Sequence, residues 1–422
     1  MVNRQASPSR LELWRWLNDC RVTQGAIAWL SVIGLVMAPL SSVQASFAMP
    51  LAQTTLLERD WSQYLAQITP PDAPTTPPDA PVTPPEVSVQ RNSELENLLK
   101  QGRELVNRRD YPGAIALYKQ AAELDGRNAR IFAGIGYLEA MQGNYSAAIE
   151  AYQQAIALDG NNLDFQMALA FSYVNAGNPD QAVAVYNRIL QRRPNHVDAL
   201  LGLGAVLTRQ ERYPEAIATY RRLLAMNKRD ARGFEAIGTI LIRQGKTGEA
   251  VRVLRESVRL NPRSGTAQLN LGIALLMQGN SREGLRAIEQ ATKLGARDAE
   301  LQLQIAKVLR TQNRLPEALA SYQQAAALQP TLVEAHIGIA ELRMAQQEFA
   351  QATIAYRRVI QLLPESAAAH YNLGLALAQQ RRTSEAIEAA EAALRLYRQQ
   401  GDNAGEKKTE ELLTILRSPS AL

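Results

Sequence analysis

The sequence repeats itself every 34 residues over most of its length. The period extends without insertion through residues 95–400 and predicts nine repeats. A fixed period of this size is typical of stacked repeat architectures, in which each repeat buries its apolar face only against its neighbours. The clearest column holds a large residue, replaced by alanine in the ninth repeat, that follows a small one by four places. This column is formed by Tyr118, Tyr152, Tyr186, Tyr220, Leu254, Ile288, Tyr322, Tyr356 and Ala390.

Each repeat is predicted to form two helices. In residues 369–380, Leu373, Gly374 and Leu377 share one helical face, and a second helix follows a break at Arg381. Pro or Gly closes most repeats, because Pro lacks the amide proton and Gly accepts a left-handed cap. The sequence therefore predicts an all-α fold. A second column of small residues lets the two helices approach closely, and it contains Gly102, Gly136, Ala170, Gly204, Gly238, Gly272, Ala306, Ala340 and Gly374.

Taken together, these columns resemble the tetratricopeptide repeat family over about three quarters of the chain. The resemblance implies a right-handed α-solenoid superhelix whose inner groove is lined by the first helix of each repeat. Glycines at positions 248, 265, 284 and 295 depart from the family pattern. We therefore expect residues 281–298 to be the softest part of the array, and Gly284→Ala to stabilise it by roughly 0.5–1 kcal/mol.

The resemblance also implies that three residues of each first helix face the groove. These columns are more apolar than exposure to solvent would explain, which predicts a surface for a partner protein segment. The alternative is that these residues pack against neighbouring first helices. The same columns also contain Lys307, Arg310 and Glu341. Chaperone-binding members of the family hold a C-terminal carboxylate with a set of Lys, Asn and Arg residues, and these columns do not contain that set. The predicted partner-binding residues are Met167, Phe171, Leu201, Ile242, Leu269, Ile273, Leu276, Leu303, Ile337, Tyr371 and Leu375.

Residues 1–48 differ in kind from the repeats. Arg4, Arg10, Arg15 and Arg21 precede the apolar run "AIAWLSVIGLVMAPL", and the small residues of "SVQASFA" follow it. This order is typical of a secretory signal peptide. An uncleaved membrane anchor is the alternative. Both place the repeats outside the cytoplasm, in a periplasm, in a lumen or at the cell surface, if the arginine-rich end stays inside.

Three further segments flank the repeats. Residues 51–68 carry apolar side chains at helical spacing and predict a short amphipathic helix, which lies on a membrane surface or docks on the repeats. Residues 69–90 are rich in Pro and predict a stiff, extended linker. Residues 401–418 predict a capping helix that covers the apolar face of the last repeat, because an uncapped array would leave that face in water.

Residues that could carry chemistry are few. Cys20 is the only cysteine, so a chain cleaved after the signal segment has no disulfide, thiol nucleophile or cysteine metal site. His336 and His370 stand one repeat apart, but no third metal ligand accompanies them, which favours ordinary packing. The stretch "GLGAVL" at 202–207 lacks the third glycine and the preceding strand of a dinucleotide-binding loop. The sequence predicts a protein that is not an enzyme and holds no cofactor or metal.

Charge indicates the same class of function. The net charge is only +5 on 422 residues, and no basic stripe is interleaved with aromatic residues, so nucleic acid is not a predicted partner. The sequence instead predicts a non-catalytic scaffold that binds other proteins and assembles a larger complex, and its composition resembles that of bacterial proteins. The alternative is a regulatory or substrate-recruiting subunit of an enzyme whose catalytic part is a separate chain. Oligomeric state has no signature in the sequence.

Overall fold

A computed structural model of the chain describes residues 85–418, and every regular element in that range is an α-helix. This confirms the all-α fold expected from the sequence. The nineteen helices of this range are α1 (Pro85–Asn107), α2 (Tyr111–Leu124), α3 (Ala129–Met141), α4 (Tyr145–Leu158), α5 (Leu163–Asn175), α6 (Pro179–Arg192), α7 (Val197–Arg209), α8 (Tyr213–Met226), α9 (Ala231–Arg243), α10 (Thr247–Leu260), α11 (Gly265–Met277), α12 (Ser281–Leu294), α13 (Ala299–Thr311), α14 (Leu315–Leu328), α15 (Val333–Ala345), α16 (Phe349–Leu362), α17 (Ala367–Gln379), α18 (Thr383–Gln400) and α19 (Asn403–Arg417).

The described helices fall into two compact units. The N-terminal unit holds α1–α9 and the C-terminal unit holds α10–α19. Within each unit every helix contacts the next one along the chain, which gives the stacked helix pairs of a solenoid. The odd-numbered helices through α17 are the first helices of the pairs, and the even-numbered ones are the second helices. First helices have 13 residues and second helices 14, except that α1 has 23 and α18 has 18.

Contacts between tyrosine and glycine explain the two sequence columns. A Cβ atom added to Gly102 would lie 2.6 Å from a ring carbon of Tyr118, and one added to Gly204 would lie 2.4 Å from the ring of Tyr220. At these two positions the tyrosine ring therefore lies where a Cβ atom would be, whereas the same column holds alanine in the repeats of Tyr186, Tyr322 and Tyr356. Burial raises the pKa of the Tyr118 hydroxyl to about 12, against the opposing effect of Arg103. All the tyrosines of this column are buried: Tyr118, Tyr152, Tyr186, Tyr220, Tyr322 and Tyr356.

The expectation that Gly284→Ala stabilises the array is wrong. A Cβ atom at Gly284 would lie 3.0 Å from the backbone oxygen of Gly272 and 2.9 Å from Cγ of Leu276. Helices α11 and α12 thus approach each other so closely that neither glycine has room for a methyl group. Gly284 is thus required by the packing of the two helices, although glycine lowers helix propensity.

The turns and caps follow the same period. Each turn between a first and a second helix contains one residue with a left-handed backbone, and only four of the nine are glycines: Arg109, Gly143, Gly177, Glu211, Gly245, Gly279, Asn313, Gln347 and Arg381. The residue before most first helices accepts a hydrogen bond from the first-turn amides, which satisfies donors that a helix leaves unpaired. These caps are Asn128, Asn162, His196, Asp230, Ser264, Asp298 and Ser366.

Both ends of the array depart from the repeat. Helix α1 begins at Pro85, so the last residues of the predicted linker, 85–90, lie in a helix. Pro is tolerated there because the first amide protons of a helix have no partner within it. The predicted signal or anchor segment (1–48), the predicted helix at 51–68 and linker residues 69–84 lie outside the described residues. None of the helices between residues 85 and 418 combines the length and apolar character needed to cross a membrane.

Helix α19 lies within the range predicted for a capping helix. Its Leu412, Leu413 and Leu416 are buried in one cluster with Leu377 of α17, and Leu394 of α18 packs against that cluster. A Cβ atom at Gly405 would lie 2.4 Å from the ring of Tyr397. The extra turn of α18 thus supplies a tyrosine–glycine contact outside the 34-residue register, and α19 packs against it.

Candidate partner-binding surface

The eleven predicted binding residues divide into two groups. Six of them are buried: Met167 and Phe171 on α5, Ile242 on α9, Leu269 and Ile273 on α11, and Leu303 on α13. Five are half-buried: Leu201 on α7, Leu276 on α11, Ile337 on α15, and Tyr371 and Leu375 on α17. None of the eleven is fully exposed.

The buried six are packing residues, in agreement with the alternative that the groove columns pack against neighbouring first helices. First helices contact each other directly within each unit, for example α3 with α5 and α11 with α13. The Phe171 ring also meets the Tyr145 ring of α4 edge to face, with centroids 6.3 Å apart. Ile273 is only 4% exposed. These side chains lack the accessible area that a partner would need to contact.

Four of the five half-buried residues lie in the C-terminal unit. The columns that contain them also hold half-buried side chains outside the predicted binding set, namely three charged residues and one methionine. We call this set the C-terminal wall. It consists of Leu276 on α11, Lys307 and Arg310 on α13, Ile337, Glu341 and Met344 on α15, and Tyr371 and Leu375 on α17.

An ion pair joins two first helices within the wall. Nη1 of Arg310 lies 2.5 Å from Oε2 of Glu341, and the two side chains are 32% and 17% exposed. Burial raises the pKa of the Glu341 carboxyl above its ordinary value, and Arg310 opposes this shift through its charge and its hydrogen bond. The pair therefore places a compensated carboxylate in a largely desolvated position between α13 and α15.

Lys307 differs from Arg310, the other cation of the wall. It stands one helical turn before Arg310 on α13 and is half-buried. No ion pair or hydrogen bond joins its ammonium group to another side chain in the part of the chain that the structure describes. The nearby Arg343, by contrast, is paired with Glu348.

Tyr371 closes the wall on the side of α17. Its hydroxyl has a raised pKa, because burial disfavours the phenolate and the charge of Glu411 on α19 acts in the same direction. Met344, Tyr371 and Leu375 all pack as half-buried side chains against the core that contains the buried leucines of α19. One side of each residue is thus held by the core while the remainder is open to solvent.

The two repeat-spaced histidines have a local packing role. Nε2 of His336 lies 3.1 Å from the carbonyl oxygen of Pro330, and Nε2 of His370 lies 3.1 Å from that of Pro364. Each imidazole thus contacts the loop that precedes its own helix. Between residues 85 and 418, no group of three His, Cys, Asp or Glu side chains is placed to hold a metal ion. The wall thus presents apolar and charged side chains side by side, and both are available for contact with one ligand.

Comparison with protein families gives three matches. Residues 160–370, half of the chain, match a tetratricopeptide repeat model described as "Cilia and flagella-associated protein 70 C-terminal domain". Residues 99–162 and residues 367–400 match two models described as "Tetratricopeptide repeat". No curated protein matches the sequence significantly.

Solved structures with a similar fold are also tetratricopeptide repeat proteins. One from Parabacteroides merdae is 19% identical with a TM-score of 0.51, and the match covers 60% of this chain and 99% of that one. A thermophilic protein from Thermus thermophilus is 21% identical with a TM-score of 0.39, covering 42% and 97%. YrrB, described as having an unusual peptide-binding site, is 20% identical with a TM-score of 0.39, covering 46% and 97%. The 34-residue period, the stacked helix pairs and the family matches together show that the chain belongs to the tetratricopeptide repeat family.

Proposed function

We propose that the protein is a non-catalytic scaffold that binds segments of partner proteins along the C-terminal wall and so assembles a larger complex. Tetratricopeptide repeats form scaffolds for interactions between proteins. The observation that supports this proposal most directly is that half-buried apolar side chains recur one repeat apart on the first helices. Ile337 and Tyr371 are 34 residues apart on consecutive first helices, and both retain accessible area. A partner segment that follows the first helices would bury this area.

The apolar part of the wall has a limited binding energy. Fully burying one large apolar side chain stabilises by roughly 1.5–3 kcal/mol, so a half-buried one has on the order of 1 kcal/mol left to contribute. The five apolar residues of the wall thus supply about 5 kcal/mol, whereas micromolar affinity corresponds to about 8 kcal/mol. Polar contacts must therefore contribute to any partner complex of that affinity.

Site-specific photo-crosslinking in cells that make the protein tests this function. A photoreactive phenylalanine analogue at Leu375 places the reactive group on the wall. The same analogue at Ile354 is the control, because Ile354 is 69% exposed and lies on the second helix α16. We expect defined protein adducts from position 375 that position 354 does not give.

Equal adduct patterns at the two positions would contradict the proposed wall. If position 375 gave no adduct while native electrophoresis still placed the chain in a larger complex, another surface would mediate assembly. An adduct with an enzyme would favour the alternative of a regulatory or substrate-recruiting subunit.

We also propose that the repeats function outside the cytoplasm, either exported or anchored by the N-terminal segment. The support is the order of arginines, apolar run and small residues within residues 1–48. N-terminal sequencing of the protein from its native source distinguishes cleavage from anchoring. Cell fractionation should recover the repeats apart from a cytoplasmic marker protein, and recovery of the whole protein together with that marker would contradict export.

A further inference from the structure

The charged centre of the C-terminal wall indicates which kind of partner segment fits there. We propose that the wall binds an extended segment that carries an Asp or Glu side chain between two apolar residues, with the carboxylate paired to Lys307. This inference rests on the proposed function and names the chemistry of its partner.

The first step of the argument is the charge balance of the wall. Arg310 and Glu341 neutralise each other at 2.5 Å, whereas Lys307 has no partner among the described residues. The wall therefore has one uncompensated positive charge. A partner that covers the wall would bury this ammonium group, and burying a charge without a partner is strongly unfavourable. A carboxylate in the partner removes that cost, while an apolar or basic residue does not.

The second step is the position of Lys307 among the apolar residues. In its column, Ile273 on α11 is buried, Glu341 on α15 is paired with Arg310, and Leu375 on α17 is half-buried, so the accessible apolar side chains nearest in sequence position stand one turn away on α11 and α15. Leu276 lies on the α11 side, and Ile337 and Met344 lie on the α15 side. A segment that runs from one first helix to the next therefore meets apolar, charged and then apolar surface.

The third step is the spacing of the segment. Packed helices are roughly 8–10 Å apart. An extended chain advances about 3.3 Å per residue, so three residues span one interval between first helices. The expected pattern is an acidic residue with an apolar residue three places before it and another three places after it.

The charged groups of α13, α15 and α19 agree with a single acidic contact. Glu341 is held by Arg310, and Arg343 by Glu348, so neither carboxylate satisfies Lys307. Glu300 accepts a hydrogen bond from Gln304 in the first turns of α13. Glu411 stands beside Tyr371 at the α17 end and disfavours further negative charge there. A segment with several acids in a row would meet these carboxylates as well.

Selection from a phage-displayed library of random twelve-residue peptides on the full chain tests the proposal. The peptides are fused at their C-termini, so that a free terminal carboxylate does not contribute. We expect enrichment of Asp or Glu with apolar residues three places to either side. For synthetic amidated peptides of this pattern, Lys307→Met should weaken binding about tenfold. This substitution keeps an unbranched apolar side chain at position 307 and removes the positive charge.

A charge exchange makes the test specific for this contact. Selection on Lys307→Glu should replace the enriched acid by Lys or Arg at the same place in the pattern. Arg286→Glu is the matched control, because Arg286 is exposed on the second helix α12 and the change in net charge is the same. It should leave both the selected pattern and the affinity unchanged. Circular dichroism of each variant shows whether it is folded.

Four results would overturn the proposal. If selected peptides lose affinity on Leu375→Ser but not on Lys307→Met, the scaffold function stands and the acidic partner does not. If no peptide is enriched that responds to either variant, the scaffold function at this wall falls as well. If the protein binds peptides only after a dimer is diluted, a second copy of the chain occupies the wall. If it binds peptides only after residues 51–68 are removed, that segment occupies the wall.

Discussion

At the scale of single residues, a close contact between two helices of the C-terminal unit is made by a pair of glycines. The backbone oxygen of Gly272 on α11 and the Cα of Gly284 on α12 leave no space for a methyl group between them. Intrinsic helix propensity favours alanine over glycine by roughly 0.5–1 kcal/mol at such a position. Overpacking a tight contact costs typically 1–3 kcal/mol, so packing outweighs propensity here.

We therefore expect Gly284→Ala to lower the free energy of unfolding by about 1–2 kcal/mol. Gly248→Ala is the matched control on α10, because its added Cβ would have nothing closer than an amide nitrogen of Gln278 at 3.9 Å. That change should be neutral or stabilise the protein by up to roughly 0.5 kcal/mol. Urea denaturation followed by circular dichroism measures both, and stabilisation by Gly284→Ala would show that α11 and α12 have room to separate.

Glu341 makes stability depend on pH. Burial raises the pKa of its carboxyl above the unfolded value, so the folded chain binds more protons than the unfolded chain between these two pKa values. Stability contributed by this group therefore falls as pH rises through that window and recovers as pH falls. As the pH is lowered from about 7 towards about 4.5, the free energy of unfolding of the wild type should rise relative to that of Glu341→Gln. A shift in the opposite direction would mean that Arg310 outweighs the effect of burial.

At the scale of helices, α19 has two kinds of contact with the end of the array. Leu412, Leu413 and Leu416 fill the apolar side of the last repeat. At the surface, Arg398 of α18 bonds Glu406 and Glu410 of α19, each at 2.7 Å. Ion pairs between exposed side chains contribute little, so the leucines supply most of the attachment.

Removal of residues 401–422 should expose Leu377 and Leu394 to water. We expect the truncated chain to lose amide protection in α17 and α18 first, and to associate at concentrations where the full chain does not, because terminal repeats need a polar outer face. Hydrogen exchange and analytical ultracentrifugation measure these effects. Glu410→Ala, which removes only a surface ion pair, should leave both nearly unchanged. A monomeric truncated chain with unaltered protection would show that α19 is not a cap.

Most of the helices could be predicted from the sequence because the period repeats their determinants many times. The glycine and tyrosine columns mark the contact inside each pair, and the left-handed turn follows at a constant place. The start of α1 could not be predicted in this way. Its first turns precede the period, and Pro85 is equally compatible with an extended linker and with the first position of a helix. The extra turn of α18 was missed for the same reason, since Tyr397 lies outside the columns.

At the scale of the whole molecule, the array could be predicted and the accessible part of its surface could not. Burial of a first-helix face depends on how closely successive first helices approach, which is decided by contacts between repeats. Ile273 and Leu375 occupy the same column and are both aliphatic, yet one is buried and the other half-buried. Charge within a column does not decide the difference, because Lys307 and Glu341 stand in the same column as both residues.

A stacked array also determines how far damage spreads. Each repeat contacts only its neighbours, so the loss of one contact should act mainly near its own place in the chain. Ile273→Glu puts a charge into an apolar contact where only 4% of the side chain is exposed, and such burial costs several kcal/mol. We expect amide protection to be lost in α11 and in the helices next to it in sequence, while α3 and α4, several repeats away in sequence, keep theirs. Hydrogen exchange with mass spectrometry resolves these segments, and Ile354→Glu at an exposed site should change none of them. Simultaneous loss of protection in all helices would mean that the described chain unfolds as one cooperative unit, and unchanged protection in α11 would contradict the packing of Ile273.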